Sequence, residues 1–157
     1  MTATELPAPR FNHVAMSVPA DLLDEEHRDR LTKFYGDVFG FEEHAMLTAD
    51  RKRLVLGALR ADQFLYIIAN DDPMTCPRLD HWGMSVDTED QLDDYLERAK
   101  KFQKEDPRVD IIDKHVDDRP FLALTSFYVA YLLPMMVEVQ HWNWKDASRA
   151  PAARADA

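Results

Sequence analysis

Three residues of this chain have the type and setting for metal chemistry: His13, His81 and Glu138. Neutral imidazole nitrogens and a carboxylate oxygen together hold Fe(II), Mn(II), Co(II), Ni(II) or Zn(II) and leave coordination positions open. Glu138 stands in MMVEVQHW, flanked by Val137 and Val139. A carboxylate in such a strand is costly to bury unless a cation neutralises it. The two histidines occupy equivalent places in a repeat. Residues 9–18 read PRFNHVAMSV and residues 77–86 read PRLDHWGMSV, with six identities in ten at an offset of 68. Lys33-Phe34 falls on Lys101-Phe102 in the same register. A duplication of such long period makes each unit a supersecondary block rather than one turn of a solenoid.

The elements that must position these residues follow from patterning. Each block opens with a strand, in which alternate side chains point to opposite faces. Phe11, His13, Ala15 and Ser17 share one face, and Leu79, His81, Gly83 and Ser85 the matching one. The opposite faces carry Val14, Met16 and Val18, or Trp82, Met84 and Val86, and suit packing under a helix. Helical spacing covers 22–37, with Gly36 or Gly40 to end it, and 88–103, with Thr88 as N-cap. Three strands complete each block, roughly 41–48, 53–59 and 63–69, then 109–115, 121–131 and 135–142. On the last of these, Met136, Glu138, Gln140 and Trp142 share a face. The expectation is an α+β fold forming one domain over 9–142, with module one at about 9–70 and module two at about 77–142. Residues 1–8 and 145–157 read as flexible tails.

A formal net charge of -10 over 157 residues disfavours nucleic acid and anionic membrane as partners. The single cysteine, Cys76, excludes an intrachain disulfide and suits a cytoplasmic location. No segment has the length and apolarity of a membrane span.

The segments FNHVAMSV, KFYGDVFGFEE, LDHWGMSV and FYVAYLLPMMVEVQHW resemble the vicinal oxygen chelate superfamily, also called the glyoxalase, bleomycin-resistance and dioxygenase superfamily. The resemblance spans 9–142 and implies two tandem βαβββ modules forming a curled mixed sheet around a central metal site. By this resemblance His13, His81 and Glu138 are the metal ligands and the chain is a homodimer. Two departures stand out. The fourth ligand of glyoxalase-like members, Glu or Gln near the end of module one, falls on Tyr66 or a neighbour, with Gln63 too early and Asn70 too late. The turn before the last strand is Leu133-Pro134-Met135 rather than Asp-Pro-Asp-Gly.

Two imidazoles and one carboxylate with open adjacent positions let Fe(II) take a chelating substrate and dioxygen side by side. Absence of a fourth protein ligand favours that use, so the first expectation is a non-haem Fe(II) dioxygenase of the extradiol ring-cleaving type. The alternative is Lewis-acid chemistry with Mn, Co, Ni or Zn, as in a lyase, isomerase, epimerase or thiol transferase. Fosfomycin-modifying relatives also use two His and one Glu. A binding module without catalysis is a third reading, disfavoured by three coherent ligands. Tyr66 and Tyr131 are the candidate acid–base residues, with His115 and His141 possible by chemical type alone. Aromatic residues gathered in module two, Trp142 among them, suggest a small and aromatic substrate.

Overall fold

The computed structural model describes residues 9–48 and 50–151. The sequence's tail at 1–8 lies outside the described residues, as do 152–157. Two blocks of one strand, one helix and three strands follow each other. The first is β1 (His13–Val18), α1 (Glu25–Phe39), β2 (Glu42–Glu43), β3 (Arg53–Gly57) and β4 (Phe64–Ala69). The second is β5 (His81–Val86), α2 (Glu89–Glu105), β6 (Asp110–Asp118), β7 (Leu122–Ala130) and β8 (Met136–Trp144). Each makes a four-stranded mixed sheet, ordered β1-β4-β3-β2 and β5-β8-β7-β6. β1 runs parallel to β4, and β5 parallel to β8, so the opening strand of each block lies at a sheet edge. This is the α+β pair of βαβββ modules the sequence implies, but the sheets do not close on one another.

The helices form where their ends are satisfied. The Asp24 side chain accepts from the His27 N–H at the start of α1, with Glu25 and Glu26 complementing the helix dipole. Gly40 ends it at φ 73°, a left-handed conformation that glycine adopts without strain. At α2, Thr88 and Gln91 form a reciprocal capping box. The apolar stripes Leu31, Phe34, Tyr35, Val38 and Phe39 of α1, and Leu92, Leu96, Ala99 and Phe102 of α2, are buried. The rings of Phe34 and Phe102 meet edge to face at 5.1 Å, and Tyr131 joins them at 4.8 Å from Phe34. One core therefore runs through both modules and fixes their relation. Met16 and Val18 of β1, and Val137 and Val139 of β8, line its helix side.

Two segments differ from the sequence's patterning. A strand over 41–48 is realised only at Glu42–Glu43, because the Leu47 and Thr48 N–H groups turn back to the His44 carbonyl. From Lys145 onward the described chain is tied down: its Nζ pairs with Asp118, its N–H bonds the Phe121 carbonyl at 3.0 Å, and Ala147–Arg149 forms a 3-10 turn. Among the described residues, no helix is long and apolar enough to cross a membrane.

Candidate metal centre

The face of each sheet away from the helices is open, and it carries the chemistry. On module two, β5 and β8 set His81 and Glu138 side by side, the Gly83 position pairing with Glu138. His81 Nε2 lies 3.2 Å from Glu138 Oε2. His81 Nδ1 donates to the Leu79 carbonyl at 2.8 Å, and since a carbonyl only accepts, Nδ1 carries the hydrogen. On a neutral ring, Nε2 would turn its lone pair toward a carboxylate oxygen. Two lone pairs at that distance repel unless a proton or a metal cation lies between them. The donor set and its direction thus fit a divalent metal held by His81 Nε2 and Glu138 Oε2.

Glu138 is only 5% exposed, and its compensation is local. The Tyr128 hydroxyl donates to Oε1 at 2.6 Å, and the Gln140 amide donates to Oε2 at 2.6 Å. Trp142 Nε1 donates in turn to Gln140 Oε1 at 3.0 Å. Burial, and then the neighbouring Glu138 carboxylate, raise the Tyr128 phenol above its ordinary value, so it stays a donor. Its ring lies between two imidazoles, edge-on to His81 at 5.1 Å and stacked on His115 at 5.8 Å. Beside the pair, a Cβ added at Gly83 would meet nothing within 4 Å, which leaves room for a ligand.

His13 occupies the equivalent place on module one. Its Nδ1 bonds Asn12 Oδ1 at 2.9 Å, and its ring stacks on Phe64 at 5.0 Å, so Nε2 is again the free donor. It is not brought to the other two. Among the described residues, no third His, Cys, Asp or Glu joins His81 and Glu138. A single chain therefore assembles two of the three sequence-derived ligands.

Strand register locates the two tyrosines. Ala15 pairs with Tyr66 as Gly83 pairs with Glu138, so Tyr66 holds in module one the place that Glu138 holds in module two. Gln63 precedes β4 and Asn70 follows it. Tyr131 is a different matter: it is 1% exposed on the helix side, and its hydroxyl donates to Asp106 at 2.7 Å. It is a core residue just past the end of β7, and the tyrosine at the open face of module two is Tyr128, within β7 and opposite Glu138. Alternation combined with the β7–β8 hairpin register, Tyr128 opposite Glu138, is the signal that finds it. Of the other imidazoles, His115 borders the site through Tyr128, whereas His141 follows the Val137 and Val139 face and its Nδ1 is buried without a partner.

No protein-family model matches the sequence, and no curated protein matches it. Solved structures do. A glyoxalase family protein from Bacillus anthracis is 20% identical, with 89% of this chain and 100% of that chain covered and a TM-score of 0.60. Lactoylglutathione lyase from Agrobacterium tumefaciens is 16% identical, with 87% and 96% covered and a TM-score of 0.58. A glyoxalase/bleomycin resistance protein/dioxygenase family enzyme from Burkholderia phytofirmans PsJN is 13% identical, with 83% and 96% covered and a TM-score of 0.57. Paired modules, edge strands bearing His13 and His81, and an open face ending on Glu138 are thus carried on the fold of the glyoxalase/bleomycin resistance/dioxygenase proteins.

Proposed function

We propose that this chain is a metal-dependent enzyme acting on a small oxygen-chelating molecule, with its metal held by His81, Glu138 and His13 of the partner subunit in a homodimer. The observation that supports this reading is the His81–Glu138 pair, which faces across 3.2 Å, a gap a proton or a cation would fill, and which no third ligand joins among the described residues. The open strands β1 and β5 support a second copy as the source. Each is an edge of its sheet, and the segment just before each strand exposes a large apolar residue two positions ahead of the histidine, Phe11 at 97% and Leu79 at 63%. A second copy would cover both and bring the equivalent histidines to one centre.

The metal favoured is Fe(II) and the reaction favoured is an extradiol-type dioxygenation. Tyr66, not a carboxylate, occupies the fourth-ligand position, and three protein donors leave room for a chelating substrate and dioxygen together. Fe(II) would supply the redox link between substrate and oxygen. The chain's own residues do the rest. His81 and Glu138 set the donor geometry, the gap above Gly83 admits the substrate, and the Tyr128 hydroxyl with the neighbouring His115 offers groups able to hold or move a proton. Trp142, 45% exposed on the same face, suits an aromatic substrate. A Lewis-acid isomerase or lyase is the second reading, favoured by the likeness to a lactoylglutathione lyase. Oxygen uptake by Fe(II)-loaded protein on a catechol panel tests the first. Turnover without oxygen, supported equally by Ni(II) or Zn(II), would establish the second instead.

A further inference from the structure

The open face of module two does not end at Glu138. Along β8 that face carries Glu138, Gln140, Trp142 and Trp144 in turn, and the β7 residues paired with the two tryptophans are Leu124 and Leu122. The polar end of the face thus passes into an apolar end within the same two strands. At the rise of an extended strand, Trp142 stands ~13 Å from Glu138 and Trp144 ~20 Å. Three rings line up there. Trp142 and Trp144 lie 5.9 Å apart with planes 29° from parallel, and Phe121 continues the row 6.5 Å from Trp144 at 28°. β5 pairs with β8 only as far as His141, so this stretch runs on past it. Trp142 is 45% exposed, an unusual setting for so large an apolar side chain. Its orientation is nonetheless fixed, because Nε1 donates to Gln140 Oε1 at 3.0 Å. A ring already held by its edge loses little freedom when a ligand settles against it.

The charges around the row are satisfied by one another. Lys145 pairs with Asp118, Arg119 with Asp117 at 2.7 Å and Arg149 with Asp146 at 3.3 Å, and the Arg149 guanidinium lies 5.5 Å over the Phe121 ring. A charged ligand would have to displace one of these partners, whereas an uncharged π surface displaces only water. We propose that Phe121, Trp142 and Trp144 form a binding shelf for a flat, uncharged aromatic ring, so that the substrate of the neighbouring Glu138 site carries such a ring beyond its oxygen-bearing head. Rings that lie nearly parallel favour a flat partner, since offset stacking adds to the gain from buried area. A puckered molecule of the same size brings fewer atoms into contact.

The head of that substrate rests on the function proposed above, while the shelf stands on module two alone, and two probes test them separately. A nitrogen–proton correlation spectrum of the full chain contains three indole signals, from Trp82, Trp142 and Trp144. Without added metal, 2-naphthol is expected to shift the Trp142 and Trp144 signals and to leave that of Trp82, whose Nε1 is buried against the core, in place. Its saturated counterpart, 2-decalol, is expected to bind about fivefold more weakly, and Trp144→Leu to weaken 2-naphthol by about 5- to 10-fold. The Zn(II)-loaded chain is expected to bind 4-styrylcatechol about tenfold more tightly than catechol by calorimetry, and Trp142→Leu to remove most of that ratio. Unmoved Trp142 and Trp144 signals, or equal binding of 2-decalol, would overturn the shelf, and this measurement on the native chain needs no variant to fold. Signals that move on dilution of the protein but not with 2-naphthol would make the row a contact between copies and overturn it equally. Equal affinity for catechol and 4-styrylcatechol would overturn its part in substrate binding. Failure of the Zn(II)-loaded chain to bind catechol at all would remove the metal reading, and the 2-naphthol shifts would still decide the shelf.

Discussion

Glu138 concentrates the cost and the use of this face. Removing a carboxylate from water costs several kcal/mol unless donors or a cation replace the lost hydration. Tyr128 and Gln140 replace part of it, and Oε2 also faces His81 Nε2 at 3.2 Å. Glu138→Gln keeps the shape but puts an NH₂ where an acceptor is required, either against the Gln140 amide or against the Tyr128 hydroxyl. The expected result is loss of stoichiometric metal, with affinity down at least about a hundredfold by comparison with the smaller effect of an outer partner. Elemental analysis after dialysis measures it, and full occupancy in the variant would take Glu138 out of the ligand set. The candidate ligands are read from single residues. The repeat singled out His13 and His81, and the valines around Glu138 marked a buried charge. Tyr128 is hidden because face depends on register across a hairpin whose Leu133-Pro134-Met135 turn gives no standard signal, whereas Tyr131, just past the end of β7, turns into the core.

At the scale of elements, the caps and stripes that the sequence shows do form both helices, and the short β2 marks where local turn bonding overrides strand patterning. What the patterning does not reveal is the clamp between modules. Asp106, at the C-terminal end of α2, accepts from Arg108 at 2.6 Å and from the Tyr131 hydroxyl at 2.7 Å, and Arg30 of α1 reaches it at 3.3 Å. The Arg108 guanidinium, followed by the Tyr131 hydroxyl, holds the Asp106 carboxyl well below the usual carboxylate range. A folded-state value below the unfolded one contributes stability that is present above the unfolded value, about 3.9, and is lost as pH falls through the folded one. Asp106→Asn is therefore expected to cost about 1–3 kcal/mol at neutral pH. The gap from the native protein should narrow as pH drops below about 4. Urea midpoints at pH 7 and pH 3 measure it; an equal gap at both would refute an ionic origin.

For the whole molecule, the repeat relates the two modules of one chain, strand for strand. Within one chain, the Phe34–Phe102–Tyr131 core packs the helices of the two modules together. Sharing of the site between copies then has a genetic signature. His13→Ala and Glu138→Gln should each be inactive alone. Mixed and reassembled in equal amounts, they form heterodimers in which one site carries both defects and the other carries none. Random pairing restores about a quarter of native activity, because half the dimers are mixed and each has one sound site of two. A site complete within one chain would regain nothing.

The exposed Phe11 and Leu79, just ahead of the edge strands β1 and β5, carry this logic into concentration. If catalysis requires two chains, turnover per chain is not a constant of the protein but a function of how much of it is present. Activity should fall off as the square of concentration once dilution passes the dimer's dissociation constant, and the melting temperature should slide downward with it. Abundance itself would then act as the switch, with scarce chains folded yet silent.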